Sequence, residues 1–143
     1  MWGGDIDRWG SESGLDPDLI ASLILVESCG DQYAVSSANA SGLMQLMPQH
    51  VIPGTDIFDP DTNAAAGTKY INEGLSYHNG DLNLTISGYN MGHYGAATTQ
   101  FAAYPAETKM YLHLVSSVYA DAAAGLDSSP TVENEIRGKR CPG

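Results

Sequence analysis

Among the acidic side chains of this chain, Glu27 is the one best placed for proton transfer. It follows Ile20, Leu23 and Ile24 at i+7, i+4 and i+3, so on a helix its carboxyl leaves from an apolar stripe. It also falls in the last turn, where the negative end of the helix dipole disfavours a second negative charge. Both effects raise its pKa, and a carboxyl protonated near neutrality suits a general acid that must protonate a leaving glycosidic oxygen. Position alone also fits a solvated glutamate at a frayed helix end with no function. Glu107 shows the opposite arrangement. It lies two residues after Pro105, in a first turn whose backbone N–H groups and positive dipole end favour the ionised form. Tyr111 and Leu114 follow it at i+4 and i+7, so it shares an apolar stripe and could face a groove, or it could be an ordinary first-turn acid.

Gly42-Leu43-Met44-Gln45 pairs a glycine, which lets a ligand approach the backbone, with an amide that suits a sugar's N-acetyl group. Tyr89 and Asn90 end a helical segment, and Leu82 and Ile86 share the tyrosine's face, which makes a core-facing ring the plain alternative. Asp59-x-Asp61-x-Asn63 imitates the start of a calcium loop, but Ala64 and Tyr70 stand where that loop needs glycine and glutamate, and helix capping explains the aspartates better. The four histidines form no i,i+4 pair and no cluster with cysteine, so neither a metal site nor any cofactor is expected.

The elements that would position these residues are helical. Asp16 as N-cap and Pro17 at the first helical position open a helix that is apolar nearly all round and should stop near Cys29-Gly30. A short helix is expected over 5–12, a polar loop over 30–42, and a turn of helix from Leu43 to Met47, ending before Pro48. Asp59-Pro60-Asp61 opens a helix to about Tyr77, Asp81 caps one over 82–91, and Pro105 starts one over 105–123. With no strand-like alternation of any length, the fold class is all-α. Residues 1–124 read as one domain and 125–143 as a C-terminal tail or linker.

A chain of 143 residues with 43% apolar and 16% charged residues has the size and composition of one globular core. Its net charge of −11 makes nucleic acid and anionic membrane surfaces poor partners. The charge is uneven: residues 1–130 hold three basic residues against 15 acids, while 131–143 hold Arg137, Lys139 and Arg140 against Glu133 and Glu135. No stretch approaches the roughly 18 apolar residues of a membrane span, and no export signal opens this chain. Cys29 and Cys141 lack metal-ligand spacing and could be free thiols or one long-range disulfide.

Read in order, several segments form a pattern: Glu27-Ser28, Ala34-Val35-Ser36, Gly42-Leu43-Met44-Gln45-Leu46-Met47-Pro48, Phe58-Asp59-Pro60 to Asn63, Gly67-Thr68-Lys69-Tyr70, Tyr89-Asn90-x-Gly92 and Pro105-x-Glu107-Thr108-x-x-Tyr111. Over about residues 14–122 this resembles the catalytic domain of soluble lytic transglycosylases, lysozyme-like enzymes that cut bacterial peptidoglycan. The resemblance implies a lysozyme-like helical fold with a groove for the glycan strand and Glu27 as the single catalytic acid/base. It implies that Tyr89 hydrogen-bonds and orients Glu27, that Gln45 and the Met44 backbone hold the sugar, and that Ser36, Asn90 and Glu107 line the groove. The substrate's own N-acetyl group would replace a second carboxylate, and the product would be a 1,6-anhydro-muramic acid end. A monomer acting on peptidoglycan outside the cytoplasm, in periplasm, wall or medium, is expected.

Cys29, Ser37, Asn39 and Met91 depart from that family's usual residues, and Met91, larger than the common alanine, bears on groove width. The family pattern contains no cysteine pair. A Cys29–Cys141 bond would fold the basic tail back beside the helix that carries Glu27; otherwise Cys29 is a buried thiol and Cys141 a free one. Alternatives to the transglycosylase reading are a goose-type lysozyme, in which water resolves the same intermediate, and a non-catalytic glycan-binding domain. The strong negative charge is unexplained by any of them, since cell-wall polymers are often anionic and would be repelled.

Overall fold

A computed structural model describes residues 2–138 and 140–141 of the chain. Six α-helices build it: α1 (Gly3–Ser13), α2 (Pro17–Ser28), α3 (Pro60–Tyr77), α4 (Leu82–Met91), α5 (His93–Thr98) and α6 (Ala106–Ala123). Short 3-10 turns cover Pro48–His50 and Phe101–Ala103. Among the described residues there is no regular strand, only isolated bridges such as Val35 to Ser41 and Ser41 to Leu46.

The helix starts follow from their caps. The carboxylates of Asp16, Asp59 and Asp81 accept from the backbone N–H groups of Asp18, Thr62 and Leu84 at 2.9, 2.8 and 2.9 Å. Each satisfies one of the donors a helix leaves unpaired. Helix α2 is the axis of the core: Leu19, Ile20, Leu23, Ile24 and Val26 are buried, and α1 and α6 pack against it. Leu114, Val115 and Val118 of α6 and Ile71 of α3 complete the same cluster. Asp61 accepts from Trp9 Nε1 at 2.8 Å and Arg8 at 2.7 Å, tying α1 to the start of α3.

Three expectations are corrected. Leu43–Met47 is not helical. Gly42 and Gln45 take positive φ (81° and 49°), which breaks the helical path and lets Leu43, Met44 and Leu46 turn inward to full burial; the 3-10 turn starts at Pro48 instead of ending before it. Helix α5 was not expected, because His93–Thr98 is short, rich in small residues and lacks a side-chain cap. It is pinned by the Tyr104 hydroxyl donating to the Ala96 carbonyl at 2.7 Å and by the His93 ring, which lies against Gly74 of α3 and Gly88 of α4.

The third concerns the segment after residue 124, expected as a linker or loose tail. Val132–Ile136 forms a π-helical turn, Ile136 is fully buried in the main core and Val132 packs against it. Cys141 is bonded to Cys29, with the two Cα atoms 5.6 Å apart. The apolar side chains of a mostly polar segment thus hold it to the domain.

Candidate active site

Glu27 sits in the last turn of α2, which ends at Ser28 with Cys29 in the left-handed conformation (φ 57°). Its neighbours toward the core are the buried Leu23, Ile24 and Val26, and burial pushes its pKa from the ordinary 4.5 up to about 7. Against that act a hydrogen bond from the Tyr111 hydroxyl and the nearby charge of Arg140, both of which favour the carboxylate, while Glu107 disfavours it. The Tyr111 hydroxyl donates to Glu27 Oε1 at 2.6 Å. Burial also holds Tyr111 and Tyr89 well above their ordinary pKa, so both hydroxyls remain donors at any physiological pH.

Two adjoining cavities, of about 520 and 260 Å³, form an open groove along this side of the molecule. Glu27, Ser36, Gln45, Asn90 and Glu107 line both, so the glutamate lies where the two halves meet. Met110, Tyr111, Glu135 and Arg140 wall the larger half; Met47, His50, Tyr70 and Tyr89 wall the smaller. An extended chain of rings could run across Glu27 with residues on either side of the bond above it.

Of the seven residues singled out in the sequence, Glu27, Ser36, Gln45, Tyr89, Asn90 and Glu107 line the groove and Met44 lies buried behind it, and not all take the expected roles. Tyr89 does not bond Glu27. Its hydroxyl donates to the Met44 carbonyl at 2.8 Å, and the tyrosine that holds Glu27 is Tyr111. The Met44 backbone is committed to the fold as well: its N–H donates to Asn63 Oδ1 at 2.8 Å, and its fully buried side chain fills the space beside Gly67. Asn63 also donates to the carbonyls of Ser41 and Ile57 at 3.0 and 2.9 Å. A Cβ at Gly42 would strike the Asn63 amide, so this glycine serves packing as well as its positive φ.

Gln45 gives both amide donors away, to the carbonyls of Ala34 and Gly42, each at 3.0 Å. Those two carbonyls fix the orientation of the amide of Gln45, a residue that lines both halves of the groove. Asn90 accepts from the Thr108 hydroxyl at 2.8 Å, which joins α4 to the first turn of α6 beside Glu107. Ser36 accepts from the N–H groups of Ala38 and Ala40 at 3.3 and 3.1 Å and so shapes the loop edge. Met91 does not line the groove; its Cε lies toward Gly95 in α5, so its size does not narrow the cleft. Tyr111 carries a usable signal in the sequence, since it follows Glu107 by one helical turn on the same face. Arg140 and Glu135 carry none.

A helical domain with one half-buried, protonatable glutamate at the end of its central helix, opening into a long groove, is of the lysozyme-like type. Solved structures agree. The chain aligns over 89% of its length with the 70 kDa soluble lytic transglycosylase of Escherichia coli at a TM-score of 0.73 and 24% identity, covering 25% of that chain. It aligns over 92% with an inactive mutant of the lytic transglycosylase Slt of Pseudomonas aeruginosa at a TM-score of 0.70 and 23% identity, covering 25% of that chain.

Residues 5–111 match the model of the Transglycosylase SLT domain family, and the chain belongs to that family. A transglycosylase of Enterobacteria phage PRD1 is 33% identical over 113 residues, which is 78% of this chain and 40% of that protein. The membrane-bound lytic murein transglycosylase C of Actinobacillus pleuropneumoniae is 35% identical over 101 residues, 55% of this chain and 27% of that one. The chain therefore spans well under half the length of these curated relatives. No helix among the described residues is long and apolar enough to cross a membrane.

Proposed function

We propose that this chain is a peptidoglycan lytic transglycosylase that cleaves the β-1,4 bond between N-acetylmuramic acid and N-acetylglucosamine, with Glu27 as its one acid/base. The observation that carries the reading is a carboxyl held near a pKa of 7 at the junction of two groove halves. Protonated, Glu27 gives its proton to the bridging oxygen, and the C1–O bond breaks. The substrate's N-acetyl carbonyl stabilises the cationic C1, a role most glycosidases give to a second carboxylate. The Glu27 carboxylate then takes the proton of the C6 hydroxyl of the same muramic acid, O6 bonds to C1, and a 1,6-anhydro ring leaves without consuming water.

In this reading Tyr111 positions Glu27, and its hydrogen bond steadies the carboxylate formed midway. Gln45 presents Oε1 to an N–H or hydroxyl of the sugar, and Ser36, Asn90 and Glu107 border the strand. Tyr89 acts one step removed, through the Met44 carbonyl and the loop that carries Gln45. The chain acts as a monomer outside the cytoplasm, where a disulfide persists, with residues 1–124 as the catalytic domain and 125–143 as a C-terminal tail fastened to it.

Digestion of purified peptidoglycan followed by mass analysis of the products tests this. The expected disaccharide products end in an anhydro ring and are lighter by one water than a lysozyme's. Products carrying that water would assign the goose-type hydrolysis instead. Glu27→Gln should fold and lose about 10⁴-fold or more in turnover, because one group serves both proton transfers.

A further inference from the structure

The groove is walled by acids: Glu27, Glu107 and Glu135 line its larger half, and Arg140 is the basic residue among its lining. The protein as a whole carries −11. A peptidoglycan strand brings carboxylates of its own, so a cation placed inside the cleft decides whether that strand is held or repelled.

The structure places Arg140 firmly. Its backbone N–H donates to the carbonyl of the fully buried Ile136 at 2.9 Å, and its neighbour Cys141 is bonded to Cys29, two residues beyond Glu27. Glu135, one position before Ile136, pairs with His113 of α6 at 3.0 Å, which holds the same segment down at a second point. The guanidinium itself makes no hydrogen bond and no ion pair among the described residues. It is exposed, and its charge is felt at both Glu27 and Tyr111. The segment lies beyond residues 5–111, which the family model matches.

We propose that Arg140, carried on the disulfide-tethered segment around Ile136, is a substrate-binding residue that takes a carboxylate of the glycan strand. This rests on the peptidoglycan reading above. The planar fork of a guanidinium matches a carboxylate with two parallel hydrogen bonds, and no partner among the described residues must be displaced. Two sources carry that chemistry: the lactyl group of a muramic acid without peptide, and the stem peptide where the lactyl group is amidated. An uncharged chitin oligomer offers neither.

The test measures binding of three tetrasaccharides to Glu27→Gln protein: a peptide-free muramic acid glycan, the same glycan with its stem peptides, and chitotetraose. Arg140→Gln added to that background should weaken the carboxylate-bearing ligand about tenfold, the value of one charge-assisted hydrogen-bonded contact, and leave chitotetraose unchanged. Loss confined to the peptide-free ligand assigns the lactyl carboxylate; loss confined to the other assigns the stem peptide. Arg140→Lys should restore part of the loss, and Cys141→Ser, which loosens the end of the segment beside Arg140, should reproduce part of it. Raising salt should shrink the discrimination in the parent and not in Arg140→Gln. Equal weakening of all three ligands, or no weakening of any, overturns the assignment while cleavage of peptidoglycan by the wild-type protein stands. A wild-type protein that neither cleaves peptidoglycan nor binds any of the three overturns the functional reading and this one with it.

Discussion

Replacing Glu27 by glutamine should stabilise the protein at alkaline pH and leave it unchanged in acid. Below pH 4.5 the folded and unfolded chains both hold Glu27 protonated, and the residue adds no pH dependence. As pH rises from 4.5 to about 7, the unfolded chain gives up this proton and the folded one keeps it. The unfolded state gains, and stability falls. Above about pH 7 the folded carboxyl must ionise in its apolar surroundings, and the penalty is complete. The interval from 4.5 to about 7, at about 1.36 kcal/mol for each pH unit, makes this about 3 kcal/mol. Glutamine keeps the shape, still accepts from Tyr111 through its amide oxygen and never ionises. Urea or thermal unfolding of both proteins at pH 4 and pH 8.5 measures the difference, with all other titrating groups cancelling between them. We expect a Tm gain on the order of 5–10 °C at pH 8.5 and almost none at pH 4. An equal shift at the two pH values, or a loss at pH 8.5, would refute the claim that burial raises this carboxyl.

Other predictions are simpler to check. Tyr111→Phe removes a hydrogen bond that favours the Glu27 carboxylate, so turnover should fall and the alkaline limb of its pH profile should move up by about 1–2 pH units; a profile that stays put or moves down contradicts this. Gly88→Ala gains about 1 kcal/mol in helix propensity, but its Cβ would strike the His93 ring, and overpacking of about 1–3 kcal/mol should win, seen as a lower Tm. Reducing Cys29–Cys141 should lower the Tm by opening a loop worth about 4–5 kcal/mol in the chain-entropy account. Titration of the unfolded, unreduced protein should find no free thiol, and two would remove the bond.

The parts of the molecule legible in its sequence are those with local causes. Asp16, Asp59 and Asp81 announce α2, α3 and α4, because a cap is decided by its own next three residues. Glu27 is legible for the same reason: its apolar stripe and its place in the last turn belong to one helix. What escaped depends on contacts between distant positions. The Tyr111 to Glu27 bond spans 84 residues, and no spacing rule could prefer it over a bond from Tyr89. Leu43–Met47 offered apolar residues without the information that Met44 is held by Asn63, 19 positions away. Ile136 is one apolar side chain in a polar run, and only the finished core shows that a place is waiting for it.

The Cys29–Cys141 bond also has a topological consequence. Its two ends are 112 positions apart, so nearly the whole chain after α2 lies inside one covalent ring. The exposed stretch 52–56 between α2 and α3, where a protease would cut first, is part of that ring. A single nick there opens the ring without separating the pieces: the fragment holding Glu27 and the fragment holding Arg140 stay joined through sulfur. On a denaturing gel the nicked protein would run as one band until a reductant is added, and as two afterwards.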